Sequence, residues 1–341
     1  MVSRSSFFER EPSAMIMPGG VSKRASTVNF FMRHVLKRYV ARNGLNPKTA
    51  RIVARWLELL TLGFTGFAKI QRKRIGGVNC EVVIPQNPPS VARTVLYLHG
   101  GGFFINLPGT YRRFAKRIAD AYGATVYLPD YRLAPEHRHP AGADDCLAVY
   151  RALLDLGCDP RTMSVMGDSA GGNLALVTLL RARDEELPLP ACATILSPSA
   201  DMTFSGASYI NNAKADPMIP MNALYAVARQ YVDAHEEAHP HVSPMLGDFT
   251  GLPPLKIVVG STEVLLDSSI TTAKSFQDAG GKVVLQVWHQ MPHVFPLFQF
   301  LPEGQMAMQN MVDFFNKHTR RVTQTQKKSP RRPHRSCGSS E

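Results

Sequence analysis

The chain has 341 residues, 44% apolar and 19% charged, a balance that suits a globular protein of one large domain or two small ones. Its net charge of +12 sits at the ends: residues 1–56 hold 11 Lys/Arg against 2 Asp/Glu and residues 320–341 hold 7 against 1, while 57–319 hold 21 against 24, which argues against a basic, nucleic-acid-binding body. No run of 18 uncharged apolar residues occurs, and residues 1–20 carry no apolar leader segment, so neither a transmembrane helix nor a secretory signal is expected.

Residues 1–26 mix charges and prolines and are expected to be disordered. From Val28 to Phe67 the pattern turns helical, with Phe31, Met32, Val35 and Tyr39 on one face and Arg33, His34 and Lys37 on the other. Phe30 and Val40 do not fit that division, Gly44 and Pro47 break it, and a second helix is predicted from about Thr49 to Leu62. Lying before the first strand, residues 27–68 are free to cover an active site.

Eight strands are predicted: near Ile70, then Glu81–Pro85, Thr94–Leu98, Thr125–Leu128, Met163–Met166, Ala193–Leu196, Leu255–Val259 and Val283–Val287. Helical patterns at Tyr111–Ala121, Asp144–Leu156, Gly172–Arg183, Ser268–Ala279 and Met306–His318 sit between or after them. This alternation implies an α/β fold, a mostly parallel sheet with helices on both faces. Residues 69–202 and 246–320 are assigned to that core. Residues 203–245 carry only one helical stretch, Met221–Val232, and read as an insertion able to form the second half of a lid; the Lys/Arg/Pro/Ser-rich tail 321–341 is expected to be disordered.

Two strand ends carry the chemistry. The run Val95–Leu98 leads into His99-Gly100-Gly101-Gly102, a glycine-rich loop of the kind that donates oxyanion-hole amides. The run Met163–Met166 leads into Gly167-Asp168-Ser169-Ala170-Gly171, a G-x-S-x-G nucleophile elbow with a helix after it. A serine hydroxyl needs a base in hydrogen-bond reach, and that base needs an orienting acid. Ester hydrolysis also builds negative charge on the former carbonyl oxygen, which backbone amides can meet; Gly101, Gly102 and Ala170 are the candidates, and His99 reads as an anchor of its loop. The base is expected late in the chain: His293, in a loop past the last strand, is preferred to His289 at that strand's end. The acid is expected after Leu255–Val259, where Glu263 and Asp267 both qualify. Glu263 is preferred because it lies nearer the strand's carboxyl end, whereas Asp267 also reads as an N-cap for the helix at Ser268. Phe103, Phe104, Phe295 and Phe298 are candidates for an apolar pocket.

From about residue 28 to 320 the chain resembles the hormone-sensitive-lipase-like esterases of the α/β-hydrolase superfamily, which include bacterial acetyl esterases and monoterpene ε-lactone hydrolases. The resemblance rests on His99–Gly102, Tyr131–Glu136 with Pro140-Ala141, Gly167–Gly172, Asp216-Pro217-Met218, Val242-Ser243-Pro244, Gly251–Pro254 and Met291-Pro292-His293. It implies an eight-stranded α/β-hydrolase sheet under a helical cap built from residues 27–68 and 203–245. It also implies Ser169 as nucleophile, His293 as base, Glu263 as acid, and Gly101, Gly102 and Ala170 as the oxyanion hole. Many members have Asp in a D-P-L-x-D pattern where this chain has Glu263-Val264-Leu265-Leu266-Asp267. The expected function is hydrolysis of short-chain acyl esters, with a lactone hydrolase, or a non-catalytic receptor on the same fold, as alternatives. No metal or organic cofactor is expected. The expected partner is a small ester or lactone, with no nucleic acid, no stable membrane insertion, and a homodimer admitted. The five cysteines (Cys80, Cys146, Cys158, Cys192 and Cys337) are odd in number and lack metal-ligand spacing, which suits a reducing compartment; a cytoplasmic location is expected.

Overall fold

The computed structural model of the protein describes residues 14–17, 20–44, 46–60 and 68–325. Expectations for residues 1–13, for the second helix beyond Leu60, and for the tail past Thr325 with Cys337 lie outside the described residues.

Among the described residues nine strands form one sheet: β1 (Ala14–Met17), β2 (Lys69–Ile75), β3 (Val78–Ile84), β4 (Thr94–Leu98), β5 (Thr125–Pro129), β6 (Met163–Asp168), β7 (Cys192–Leu196), β8 (Leu255–Gly260) and β9 (Val283–Trp288). Their order is β1-β9-β8-β7-β6-β4-β5-β3-β2, antiparallel only where β3 meets β2 and β5. Every residue of β4, β6, β7 and β8 is buried, which is why these strands read as unbroken apolar runs rather than as alternation. The helices are α1 (Lys23–Phe31), α2 (Arg38–Asn43), α3 (Pro47–Leu60), α4 (Pro108–Tyr122), α5 (Ala141–Asp155), α6 (Ala170–Asp184), α7 (Ser208–Asn211), α8 (Met221–Tyr231), α9 (Leu266–Asp278) and α10 (Pro302–Thr325). Residues of α5, α6 and α9 build the core on one face of the sheet, and those of α4 and α10 the core on the other. α4 has sequence-coded ends: Pro108 opens its first turn, and Gly123 closes it at φ 58° while its N–H returns to Ala119.

Sheet register positions the site. Leu98 pairs with Gly167, Asp168 with Leu196, and Gly260 with Trp288. The loops after β4, β6, β7, β8 and β9 therefore leave one carboxyl edge side by side, where open α/β sheets hold their ligands.

Three expectations need correction. The sheet has nine strands, not eight, because Ala14–Met17 pairs in parallel with Leu285–Trp288 of β9. With α1 starting at Lys23, the expectation of disorder through residue 26 fails at these positions. A four-residue apolar run has no visible periodicity, and a partner about 270 positions away makes it a strand. Second, the inward face of the first helical segment is Ala25, Val28, Met32, Leu36 and Val40, whereas Val35 is exposed. A π-helical stretch, Met32–Lys37, widens the turn and carries the buried face to positions four apart. Third, α10 continues to Thr325, past the boundary expected at 320.

Candidate active site

Ser169 stands at the junction of β6 and α6 with φ 54° and ψ −120°, a conformation rarely adopted by a non-glycine residue. The elbow is held by Ser169 N–H donating to Leu196 O (2.8 Å), while Ser169 O accepts from the N–H groups of Asn173 and Ser199. Its glycines are required by space: a Cβ on Gly167 would strike the Gly171 carbonyl, and one on Gly171 would strike those of Leu98 and His99. The oxyanion-loop candidates have positive φ as well, 116° at Gly101 and 61° at Gly102, and a Cβ on Gly101 would collide with Ile105 O.

On the neighbouring loops, His293 Nδ1 and Glu263 Oε2 are 2.7 Å apart, both side chains buried. An ionised carboxylate only accepts, so Nδ1 carries the proton and Nε2 keeps its lone pair. Burial works against a charged His293, but the hydrogen bond and charge of Glu263, with the charges of Asp216 and Asp168, outweigh it and raise its pKa. The other oxygen of Glu263 accepts from Ser197 Oγ at 2.8 Å and Gly260 N–H at 2.5 Å. Ser197 Oγ in turn accepts from Val294 N–H at 3.3 Å. Ser197 (φ 44°) and Val294 (φ 51°) share the left-handed strain of Ser169, so strained backbone gathers around this one site.

Asp267 lies 2.8 Å from Ser208 N, accepting its hydrogen bond, and Leu265 rather than Asp267 takes the N-cap position of α9. The N-cap expectation is thus corrected: the helix begins two residues earlier than predicted, and Asp267 falls inside its first turn. His289 is exposed beyond β9. His99 is buried, its ring stacked on Tyr131 at 4.3 Å and its Nδ1 2.7 Å from Gly100 O. Burial lowers its pKa to about 4, against the pull of Gly100 O and Asp130, so it stays neutral.

Several polar residues at the site carried no role in the sequence reading. Asp168, inside the elbow motif, accepts from Tyr97 Oη (2.7 Å), Tyr111 Oη (3.0 Å) and Gly100 N–H (2.9 Å), which ties the glycine loop to the elbow. Burial raises its pKa to about 6, and these three donors with the His293 charge limit the rise. Asp216 Oδ2 accepts from Val264 N–H, next to Glu263, at 2.9 Å. The available signal for Ser197 was its place at a strand's carboxyl end.

Ser169, Ala170, Gly101, Gly102 and His293 line one cavity of about 160 Å³. Its walls include Leu36, Val40 and Val53 from the N-terminal helices and Met218, Ile219, Ala223, Leu224 and Val227 from the insertion. Those two segments pack together, with Leu36, Val40, Val53 and Ala223 in one cluster and Asn222 Nδ2 donating to Ala41 O at 3.1 Å. Phe104 and Phe298 line the cavity as expected; Phe103 stacks on Tyr231 instead, and Phe295 packs beside Trp288. Among the described residues no three His, Cys, Asp or Glu side chains gather as metal ligands, and no helix is long and apolar enough to cross a membrane.

A mostly parallel sheet that turns sharply at a strained serine, opposite a glycine loop and a late histidine–carboxylate pair, defines an α/β hydrolase. Comparison with known proteins agrees: the chain belongs to the alpha/beta hydrolase fold family, matched over residues 95–297. It is 40% identical to an acetyl-hydrolase of Streptomyces hygroscopicus over 236 residues, 69% of this chain and 78% of that one. It is 34% identical to an esterase of Acinetobacter venetianus over 248 residues, 72% of this chain and 81% of that one. A crystal structure of an esterase from the bacterial hormone-sensitive lipase family superposes with a TM-score of 0.80 at 34% identity, covering 88% of this chain and all of the other.

Proposed function

We propose that this carboxylic ester hydrolase cleaves short-chain acyl esters through a covalent intermediate on Ser169, with His293 as base, Glu263 as its orienting acid, and the amides of Gly101, Gly102 and Ala170 as oxyanion hole. The observation that carries this reading is the 2.7 Å Glu263–His293 contact on a cavity that Ser169 and all three amide donors also line.

His293 Nε2 takes the Ser169 hydroxyl proton as Oγ bonds to the ester carbonyl carbon. The oxyanion meets fixed N–H dipoles, each worth about 3–4 kcal/mol in a water-poor site. The imidazolium gives its proton to the departing alkoxide, and the alcohol leaves. Water, deprotonated by the same nitrogen, then attacks the acyl-enzyme carbonyl; the bond to Ser169 Oγ breaks, the imidazolium returns its proton to Oγ, and the acid leaves. Throughout, Glu263 holds the imidazole through Nδ1 and stabilises its charged form.

Cavity size supports a short acyl group. A protein cavity of about 150 Å³ accommodates a benzene-sized guest, and 160 Å³ of largely aliphatic wall suits a short chain or one small ring. The N-terminal helices and the 203–245 insertion act as the cap. The described cysteines, Cys80, Cys146, Cys158 and Cys192, are unpaired, which fits a reducing, cytoplasmic setting.

The test is a p-nitrophenyl ester series from acetate to dodecanoate with an ε-lactone added, run on the parent protein and on Ser169→Ala and His293→Ala. Turnover should be highest on the short esters, and each substitution should lower kcat by about 10⁴-fold or more. Near-parental activity in Ser169→Ala would remove the nucleophile assignment, and a preference for the lactone would move the substrate class.

A further inference from the structure

Helix α3 presents apolar residues in two directions. Val53 lines the Ser169 cavity, and Ala50 is buried with it. Ile52, Trp56 and Leu59 follow i, i+4, i+7 spacing and are 40%, 39% and 50% exposed. The Phe31 ring packs 5.4 Å from Trp56, and its neighbour Phe30 is 66% exposed, which extends the apolar outer surface onto α1. The charge around this surface is mostly basic; Glu58, the one acid of α3, is half-buried and accepts from Gly109 N–H at 2.9 Å. Residues 12–57 hold nine Lys/Arg and not one Asp/Glu, and Lys23, Arg24, Arg33, Arg38, Arg42 and Arg55 are exposed.

We propose that this N-terminal helical surface docks on an anionic lipid surface. Ile52, Trp56 and Leu59 would enter the headgroup–acyl boundary while the flanking lysines and arginines meet lipid phosphates. A helix with a Trp/Leu/Ile stripe and a basic polar face matches what an interfacial helix requires. Charge selects this occupant over a second copy of the chain, because two such surfaces would each bring an excess of cations, and Glu58, the one acid of α3, is already engaged by Gly109 N–H. Nucleic acid would leave the apolar stripe without a partner. The placement has a consequence for the enzyme: the helix that touches lipid also walls the cavity through Val53, so one element carries both the lipid contact and part of the cavity wall.

The test uses the full chain and extruded vesicles of phosphatidylcholine with or without phosphatidylglycerol. The protein has two tryptophans, and Trp288 is only 3% exposed, so a blue shift of emission on vesicle addition reports Trp56. The expected result is flotation with phosphatidylglycerol vesicles, a blue shift, and binding at least about tenfold weaker in high salt. The double variant Ile52→Ser/Leu59→Ser should bind these vesicles about tenfold less or worse yet cleave soluble p-nitrophenyl acetate at the parental rate, which also shows that it folds. Ser169→Ala should bind like the parent, so vesicle binding stands or falls separately from the catalytic assignment. Absence of a blue shift would overturn the proposal. So would binding that survives the double variant but is lost when residues 326–341 are removed, since the tail would then be the ligand. A double variant that changes the sedimenting species from dimer to monomer, with the parent failing to float, would assign the stripe to self-association instead.

Discussion

Ser197 Oγ stands between two loops of the site, donating to Glu263 Oε1 and accepting from Val294 N–H. Without it, that oxygen of a fully buried carboxylate keeps only Gly260 N–H. Hydrogen bonds to charged groups contribute about 1.5–3 kcal/mol, so Ser197→Ala should lower kcat by roughly 10–100-fold with little change in KM, as steady-state kinetics on a butyrate ester would read. The acids are separable in the same assay. Glu263→Gln removes the charge that holds the Nδ1 proton and should cost about 10³–10⁴-fold in kcat, whereas Asp267→Asn, whose carboxylate serves Ser208 N–H, should stay within about tenfold of the parent. An equal loss in both would place Asp267 in the machinery. In the proposed mechanism the pH profile follows from His293, which has to be neutral to take the serine proton. Its protonated fraction grows as pH falls through its pKa, and that pKa is raised. The acid limb of kcat/KM should therefore lie above the ordinary imidazole value, and a limb below it would contradict the buried Glu263 contact as its cause. At this scale the residues that gather at the cavity, Ser169, His293 and the glycines with Glu263 against His293, were visible in the sequence because motif and strand-end position coincide. It did not display Ser197 or the role of Asp168, since their partners come from other loops.

Among the elements, the β6–α6 elbow was the most legible, because its constraint is local. Gly171 has no room for a side chain against the carbonyls of Leu98 and His99. Gly171→Ala must push α6 away from β4 and should destabilise the fold by at least about 1–3 kcal/mol, measured as a lowered midpoint of chemical unfolding. The first helical segment was legible in type but not in facing, because the π-helical stretch breaks the 3.6 period on which face assignment depends. Lys37 shows what that shift accomplishes. Its ammonium donates to Ala213 O and Asp216 O, each at 2.6 Å, and Asp216 in turn holds Val264 beside Glu263. Burial lowers the Lys37 pKa and the Asp216 charge opposes the drop. Lys37→Met leaves both carbonyls without this donor and loosens the cavity wall. Its expected signature is a KM several-fold higher on short esters, about 1 kcal/mol of lost binding, with kcat changed less.

For the molecule as a whole, β1 is the element with no local signature and a global effect. It covers the edge of β9, whose backbone would otherwise be open to another chain. Deleting residues 1–19 should therefore raise the mean sedimenting mass in analytical ultracentrifugation, and an unchanged distribution would show that β9 is protected by other means. The charge map has the same scale. A slightly acidic body carries basic ends, and the N-terminal one folds into the cavity wall, so a feature that reads from sequence as a solvated end becomes part of the site's surroundings.

Amino-acid order alone determined the class of fold, the alternation of eight strands with helices, and the residue types of the elbow and glycine loop. Those features depend on burial periodicity and steric limits acting over a few neighbouring positions. Tertiary structure alone decided the ninth strand, the inward face of the first helices, the Ser197 and Asp168 contacts, and which phenylalanines meet the cavity. Each of these is set by a partner tens to hundreds of positions away, and no local pattern encodes where that partner will lie.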